Sequence, residues 1–95
     1  MKSEYQNSIV DKIRVLRLDL DYSQLKLSYL LGISPGQIGN IETPTKPHKY
    51  TLTQIALICD EFNVPIENLF LDDCQNMSTH EVVQRLINCI IEYEK

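Results

Sequence analysis

Apolar residues recur at intervals of three and four along most of the chain, and no segment alternates with a period of two, so the pattern predicts helices and no strands. Tyr5, Ile9, Ile13, Leu16 and Leu20 make the first amphipathic stripe, and Ser3-Glu4-Tyr5-Gln6 has the form of a capping box opening a helix near Ser3. Asp21 stands where a left-handed residue would end that helix, a conformation Asp tolerates better than most side chains. Ser23 is a good N-cap for a second helix, Gln24 to Leu31, with Leu27, Leu30 and Leu31 as its apolar face and Gly32 as its stop. Ser34 and Pro35 then read as the cap and first residue of a third helix whose buried stripe is Ile38 and Ile41.

Pro44 and Pro47 keep the segment from Thr43 to Tyr50 out of the helix and make it a loop. Leu52, Ile55, Ile58, Cys59 and Phe62 mark a fourth helix ending at Asn63, and Pro65 to Phe70 a short fifth with Ile66, Leu69 and Phe70 inward. Leu71 to Met77 is mostly polar and acidic and reads as a linker. Ser78-Thr79-His80-Glu81 is a second capping-box pattern, opening a sixth helix that runs to about Glu94. The expected fold is therefore all-α: a five-helix bundle over residues 1–71, a linker at 72–77 and a C-terminal sixth helix at 78–95.

Composition changes this picture little. A chain of 95 residues makes one domain, and 43% hydrophobic with 23% charged residues is ordinary for a soluble globular protein. No apolar run is long enough to span a membrane and the N-terminus is not signal-like, so the expected location is cytoplasmic, with no membrane partner. Cys59, Cys74 and Cys89 are odd in number and widely spaced, which predicts reduced thiols, two of them buried on helices. Neither they nor His48 and His80 have ligand-like spacing, so no metal and no cofactor is expected. Nothing places Ser, His and Asp together as a triad, and the expectation is that the protein is not an enzyme.

The net charge of −4 argues against nucleic acid until its distribution is considered. Residues 1–51 carry Lys2, Lys12, Arg14, Arg17, Lys26, Lys46 and Lys49 against five acids, whereas residues 52–95 carry Arg85 and Lys95 against eight. The basic half holds the most informative spacing. Counting from Gln24, a small residue (Ser28) falls at the fifth position, glycine (Gly32) at the ninth, and Ile38 and Ile41 at the fifteenth and eighteenth. A small residue lets two helices approach steeply, glycine makes the tight turn, and the isoleucines bury one face of the following helix so that the other stands clear.

With this spacing, the strings Tyr22-Ser23-Gln24, Leu30-Leu31-Gly32-Ile33-Ser34, Ile38-Gly39-Asn40-Ile41-Glu42 and Asn63-Val64-Pro65-Ile66-Glu67-Asn68-Leu69-Phe70 resemble the lambda-repressor/Cro-like (XRE-type) helix-turn-helix family. The resemblance runs from about Ile9 to Phe70 and implies a five-helix DNA-binding bundle. It implies that Gln24, helped by the Ser23 cap, meets a phosphate. It implies that Gln37 and Asn40 read base edges, since a carboxamide pairs bidentately with adenine. Ser34 would reach a base or a phosphate, and Thr43, Lys46, His48 and Lys49 would grip the backbone after the recognition helix. Arg17 and Glu42 match a family pair that ties the first helix to the end of the third. Pro35 and Gly36 stand where many relatives carry long base-reading side chains, which implies that DNA shape shares the recognition.

The sixth helix has an apolar surface wider than packing on one neighbour requires. Val83, Leu86, Ile87, Ile90 and Ile91 are accordingly expected to form a homodimer interface. The reading of the whole chain is a homodimeric, sequence-specific regulator of transcription, a repressor, bound to double-stranded DNA. Two alternatives stay open: an antitoxin-type module whose C-terminal helix holds a partner protein, and a helical scaffold that has lost DNA binding.

Overall fold

Ser3, Ser23, Ser34, Thr51 and Ser78 each hold an extended backbone, and the side-chain oxygen of each accepts a hydrogen bond from the N–H three residues on. That bond satisfies a donor that the helix itself leaves unpaired, which is why these residues begin helices. A computed structural model describes every residue from Met1 to Lys95 and contains six helices and no strand. They are α1 (Glu4–Asp19), α2 (Gln24–Leu31), α3 (Pro35–Glu42), α4 (Leu52–Phe62), α5 (Ile66–Phe70) and α6 (Thr79–Glu94). No helix is long and apolar enough to cross a membrane.

The stops are as local as the starts. Asp21, Gly32 and Asn63 have φ of 54°, 68° and 54°, and each lets the next residue's N–H turn back onto the helix it leaves. Tyr22 N–H donates to Arg17 O at 2.8 Å, Ile33 N–H to Ser28 O at 3.1 Å and Val64 N–H to Cys59 O at 2.9 Å. These are Schellman-type closures, in which one left-handed residue reverses the chain and satisfies an orphan carbonyl.

Ile9 and Ile13 of α1, Leu27 of α2, Ile38 and Ile41 of α3, Ile55 and Ile58 of α4, and Leu69 and Phe70 of α5 meet in one core. Ser28 is buried at 1% exposure with its hydroxyl turned back onto Leu25 O, leaving room for α2 and α3 to pack closely. Four expectations need correction. Leu20 is the C-cap of α1, past the last helical turn, and is half exposed. Leu71 is buried although it opens the acidic segment. Ser78 caps α6, but the Glu81 carboxylate lies near the Ser78 hydroxyl instead of its N–H, so the box is not reciprocal. Only Cys59 of the three free cysteines is buried.

The sixth helix shares this core. Tyr93 is fully buried, its ring meets Phe70 edge-on at 5.8 Å, and its hydroxyl donates to Tyr50 O at 2.7 Å. The Tyr93 carbonyl, one of the orphans of the last turn, accepts from Gln6 Nε2 at 2.8 Å and Lys49 Nζ at 3.1 Å. Burial pushes the phenols of Tyr50 and Tyr93 above the ordinary tyrosine range, with Glu42 adding to the rise at Tyr50 and Glu94 at Tyr93. The unfolded chain therefore ionises first, so this stabilisation is whole below about pH 10 and is lost as pH climbs beyond it. Urea midpoints measured across that range should fall, and Tyr93→Phe should remove part of the fall. A midpoint independent of pH up to about 11 would contradict the burial of both phenols.

Candidate nucleic-acid interface

Helices α2 and α3 meet at the Gly32 turn, with Ile38 and Ile41 buried beneath and Ser34, Pro35, Gly36 and Gln37 exposed above. Pro35 takes the first helical position, where a missing N–H leaves no bond unmade. Ser34 and Gln37 form a reciprocal capping box: Gln37 N–H donates to Ser34 Oγ at 3.1 Å, and Ser34 N–H to Gln37 Oε1 at 2.8 Å. Gln37, expected to read a base edge, is thus placed in a cap at the start of its own helix. Its carbonyl oxygen accepts from Ser34 N–H, and Nε2 is free to donate to an outside acceptor.

Asn40 lies one turn further along the same edge, half-buried, and its Oδ1 accepts from Lys46 Nζ at 3.0 Å. The Thr43 hydroxyl donates to Gly39 O at 2.7 Å. At the other end of the motif the Ser23 hydroxyl caps α2, and Gln24 Nε2 donates to Glu42 Oε1 at 2.9 Å. Glu42 in turn accepts from Arg17 twice, Nε at 2.8 Å and Nη2 at 3.0 Å, while Arg17 Nη1 donates to Tyr22 O at 2.9 Å. The Arg17 and Glu42 side chains retain 8% and 7% of their exposure. One buried carboxylate thus locks the end of α1, the start of α2 and the end of α3 together. Bidentate Arg–carboxylate geometry fixes direction as well as distance.

No protein-family model, curated protein or solved structure matches the chain. The site is therefore read from its own geometry. Gly36 and Gly39 are the telling positions. A Cβ built on Gly36 would come no closer than 3.8 Å to another heavy atom, the Ser34 hydroxyl, and one on Gly39 would meet nothing within 4 Å. Neither glycine has a positive φ. Nothing inside the molecule requires them.

The cations of the basic half are mostly engaged elsewhere. Lys2 is 4% exposed and donates to Thr43 O at 3.0 Å and Lys46 O at 2.7 Å, holding down the loop after α3. Burial lowers the pKa of its ammonium. Lys12 reaches Leu69 O and Asp72, and Arg14 pairs with Asp11. Lys49 is held by Tyr93, both at its carbonyl and with Nζ 5.4 Å from the ring centroid. Lys49, expected to grip a phosphate, is placed against α6. Lys26, with Nζ 4.6 Å from the Tyr22 ring centroid, and Lys46, bonded to Asn40, are the cations left exposed at α2 and after α3.

His48 and Lys49 also line a hollow of about 180 Å³ with Gln37, Thr51 and Gln54. Thr51 and Gln54 form a reciprocal capping box at the start of α4, at 2.9 and 3.1 Å. The pattern Thr51-x-x-Gln54 is legible in the sequence by the rule that finds Ser3 and Gln6. No local rule points to Lys2, because its two acceptors lie more than forty residues away.

Proposed function

We propose that this chain binds double-stranded DNA as a sequence-specific transcriptional regulator, a repressor, with α3 as the element that enters the major groove. A five-helix arrangement of the lambda-repressor type, acting in the cytoplasm without cofactor or catalysis, belongs to the same reading. The observation that carries it is the bare outer edge of α3. Glycine inside a helix costs about 0.5–1 kcal/mol relative to alanine. Gly36 and Gly39 are present without any internal contact that demands them. Missing side chains on an exposed helix edge suit close approach by an external surface, and a groove floor and its sugar-phosphate walls are such a surface.

Base reading falls to Asn40 with Lys46. Because Lys46 Nζ occupies Asn40 Oδ1, the pair offers donors to an outside partner: Asn40 Nδ2 and the remaining ammonium hydrogens. Adjacent donors suit the O6 and N7 acceptors of guanine better than the mixed edge of adenine. Gln24 keeps one amide hydrogen for a phosphate after its bond to Glu42. Selection from a random pool of duplex DNA should enrich a short site containing guanine where Asn40 and Lys46 act. Failure to enrich any sequence would sink the regulator reading.

Gly39→Ala should separate binding from stability. The variant is expected to be more stable by about 0.5–1 kcal/mol, since alanine restricts the unfolded chain and fits the helix. It should nevertheless bind the selected site more weakly, because a methyl group now stands on the docking edge. Equal or tighter binding would show that this edge does not approach DNA. A second reading, an antitoxin-type module holding a partner protein, draws its support from the apolar residues left exposed on α6.

A further inference from the structure

Helix α6 presents two apolar faces, of which its own chain covers one. Leu86, Cys89 and Ile90 pack against the core and Tyr93 lies within it. Of the five residues expected at a dimer interface, Leu86 and Ile90 are thus engaged internally. Val83, Ile87 and Ile91 keep 46%, 47% and 54% of their exposure. Their spacing of four places them in one stripe along the helix.

That stripe is symmetric about Ile87. Val83 and Ile91 stand four residues to either side, and His80 and Glu94, both exposed, stand seven to either side. Gln84 and Asn88, which border the stripe, are uncharged, whereas Glu81, Arg85 and Glu92 fall toward the opposite solvent edge by the helical repeat. Neither His80 nor Glu94 has an ion-pair partner within the chain.

We infer that α6 pairs antiparallel with α6 of a second copy of this chain, about a two-fold axis at Ile87. An isologous contact requires a patch that complements itself when rotated, and a stripe with imidazole at one end and carboxylate at the other sets unlike groups together in the antiparallel sense. Val83 then packs on the partner's Ile91, and each His80 faces the partner's Glu94, giving two pairs per dimer. Imidazole donates to a carboxylate whether neutral or charged. Parallel pairing would instead set Glu94 against Glu94. The charge pattern selects the antiparallel arrangement, and it also favours a second copy over an unrelated helix.

The test is sedimentation of the full chain without DNA, so it stands apart from the regulator reading. The wild type should show a monomer–dimer equilibrium below about 100 μM, the weak end of specific association. Ile87→Glu should weaken it by more than about a hundredfold, because two like charges would meet on the axis. His80→Glu, which sets Glu against Glu94, should weaken it by about fivefold, and His80→Glu with Glu94→Lys should restore it to within about twofold. Circular dichroism and the thermal midpoint of each variant check that the fold is intact, since all three positions are on the solvent side. A wild type that stays monomeric at that concentration overturns the inference, as does a folded Ile87→Glu variant that dimerises normally. A double exchange that fails to restore association overturns the antiparallel register.

Discussion

Replacing Glu42 by alanine is expected to destabilise the protein by about 3–5 kcal/mol, read as a fall in the urea midpoint at unchanged slope. The size follows from what the substitution leaves behind. Arg17 is buried and donates three hydrogen bonds, two of them to Glu42. Without the carboxylate its charge stays in the interior with only Tyr22 O as acceptor, and Gln24 loses its partner as well. An arginine does not shed its proton to escape this, so the desolvation cost is borne in full. Arg17→Met combined with Glu42→Leu should be far milder than Glu42→Ala, since two apolar side chains of similar size leave no charge behind. A Glu42→Ala loss below about 1 kcal/mol would mean that the pair acts as a solvated surface bridge. Because small domains have total stabilities of about 5–15 kcal/mol, the expected loss removes a large fraction of the fold's margin.

Tyr93→Ala should cost a similar amount, about 3–5 kcal/mol, for a different reason. Its ring is fully buried against Phe70, near the far end of the sequence, and a cavity would open where α6 closes the core. Tyr93→Phe isolates the hydroxyl. Tyr50 O accepts from Tyr93 Oη at 2.7 Å, and losing that donor inside the core should cost about 1–3 kcal/mol. The two variants together distinguish a docked α6 from an appendage: an appendage would leave both midpoints unchanged. Docking also matters for the loop after α3, because the Tyr93 carbonyl holds Lys49. Loss of α6 would free that lysine and change the face presented beside α3.

The starts and stops of the helices are legible in the residues that flank them. Ser23, Ser34, Gly32 and Asn63 act within three to five residues of themselves, so their meaning is carried by the neighbouring letters. Ile38 and Ile41 can be assigned inward from the helical repeat alone, and both are buried. Leu20 fails the same rule because it is the C-cap, already outside helical geometry and followed by the left-handed Asp21, and a periodic pattern does not register the stop. The contact between Arg17 and Glu42, twenty-five residues apart, follows from a resemblance and not from any local rule.

By itself, then, the sequence determined an all-helical chain, its six segments to within a residue or so at most ends, and which face of each helix is apolar. Only the tertiary structure decided which polar groups remain free. Lys2, Lys12 and Lys49 look alike to a charge count, yet each donates to a backbone carbonyl distant in sequence. Gln37 looks like a base reader, yet its oxygen closes a cap. The tertiary structure also divided the broad apolar surface of α6 into a covered face and an exposed stripe. Caps and periodicity depend on bonds between near neighbours, which order along the chain specifies. The freedom of a charge or an amide depends on acceptors brought to it by folding, and these are set by distances across space.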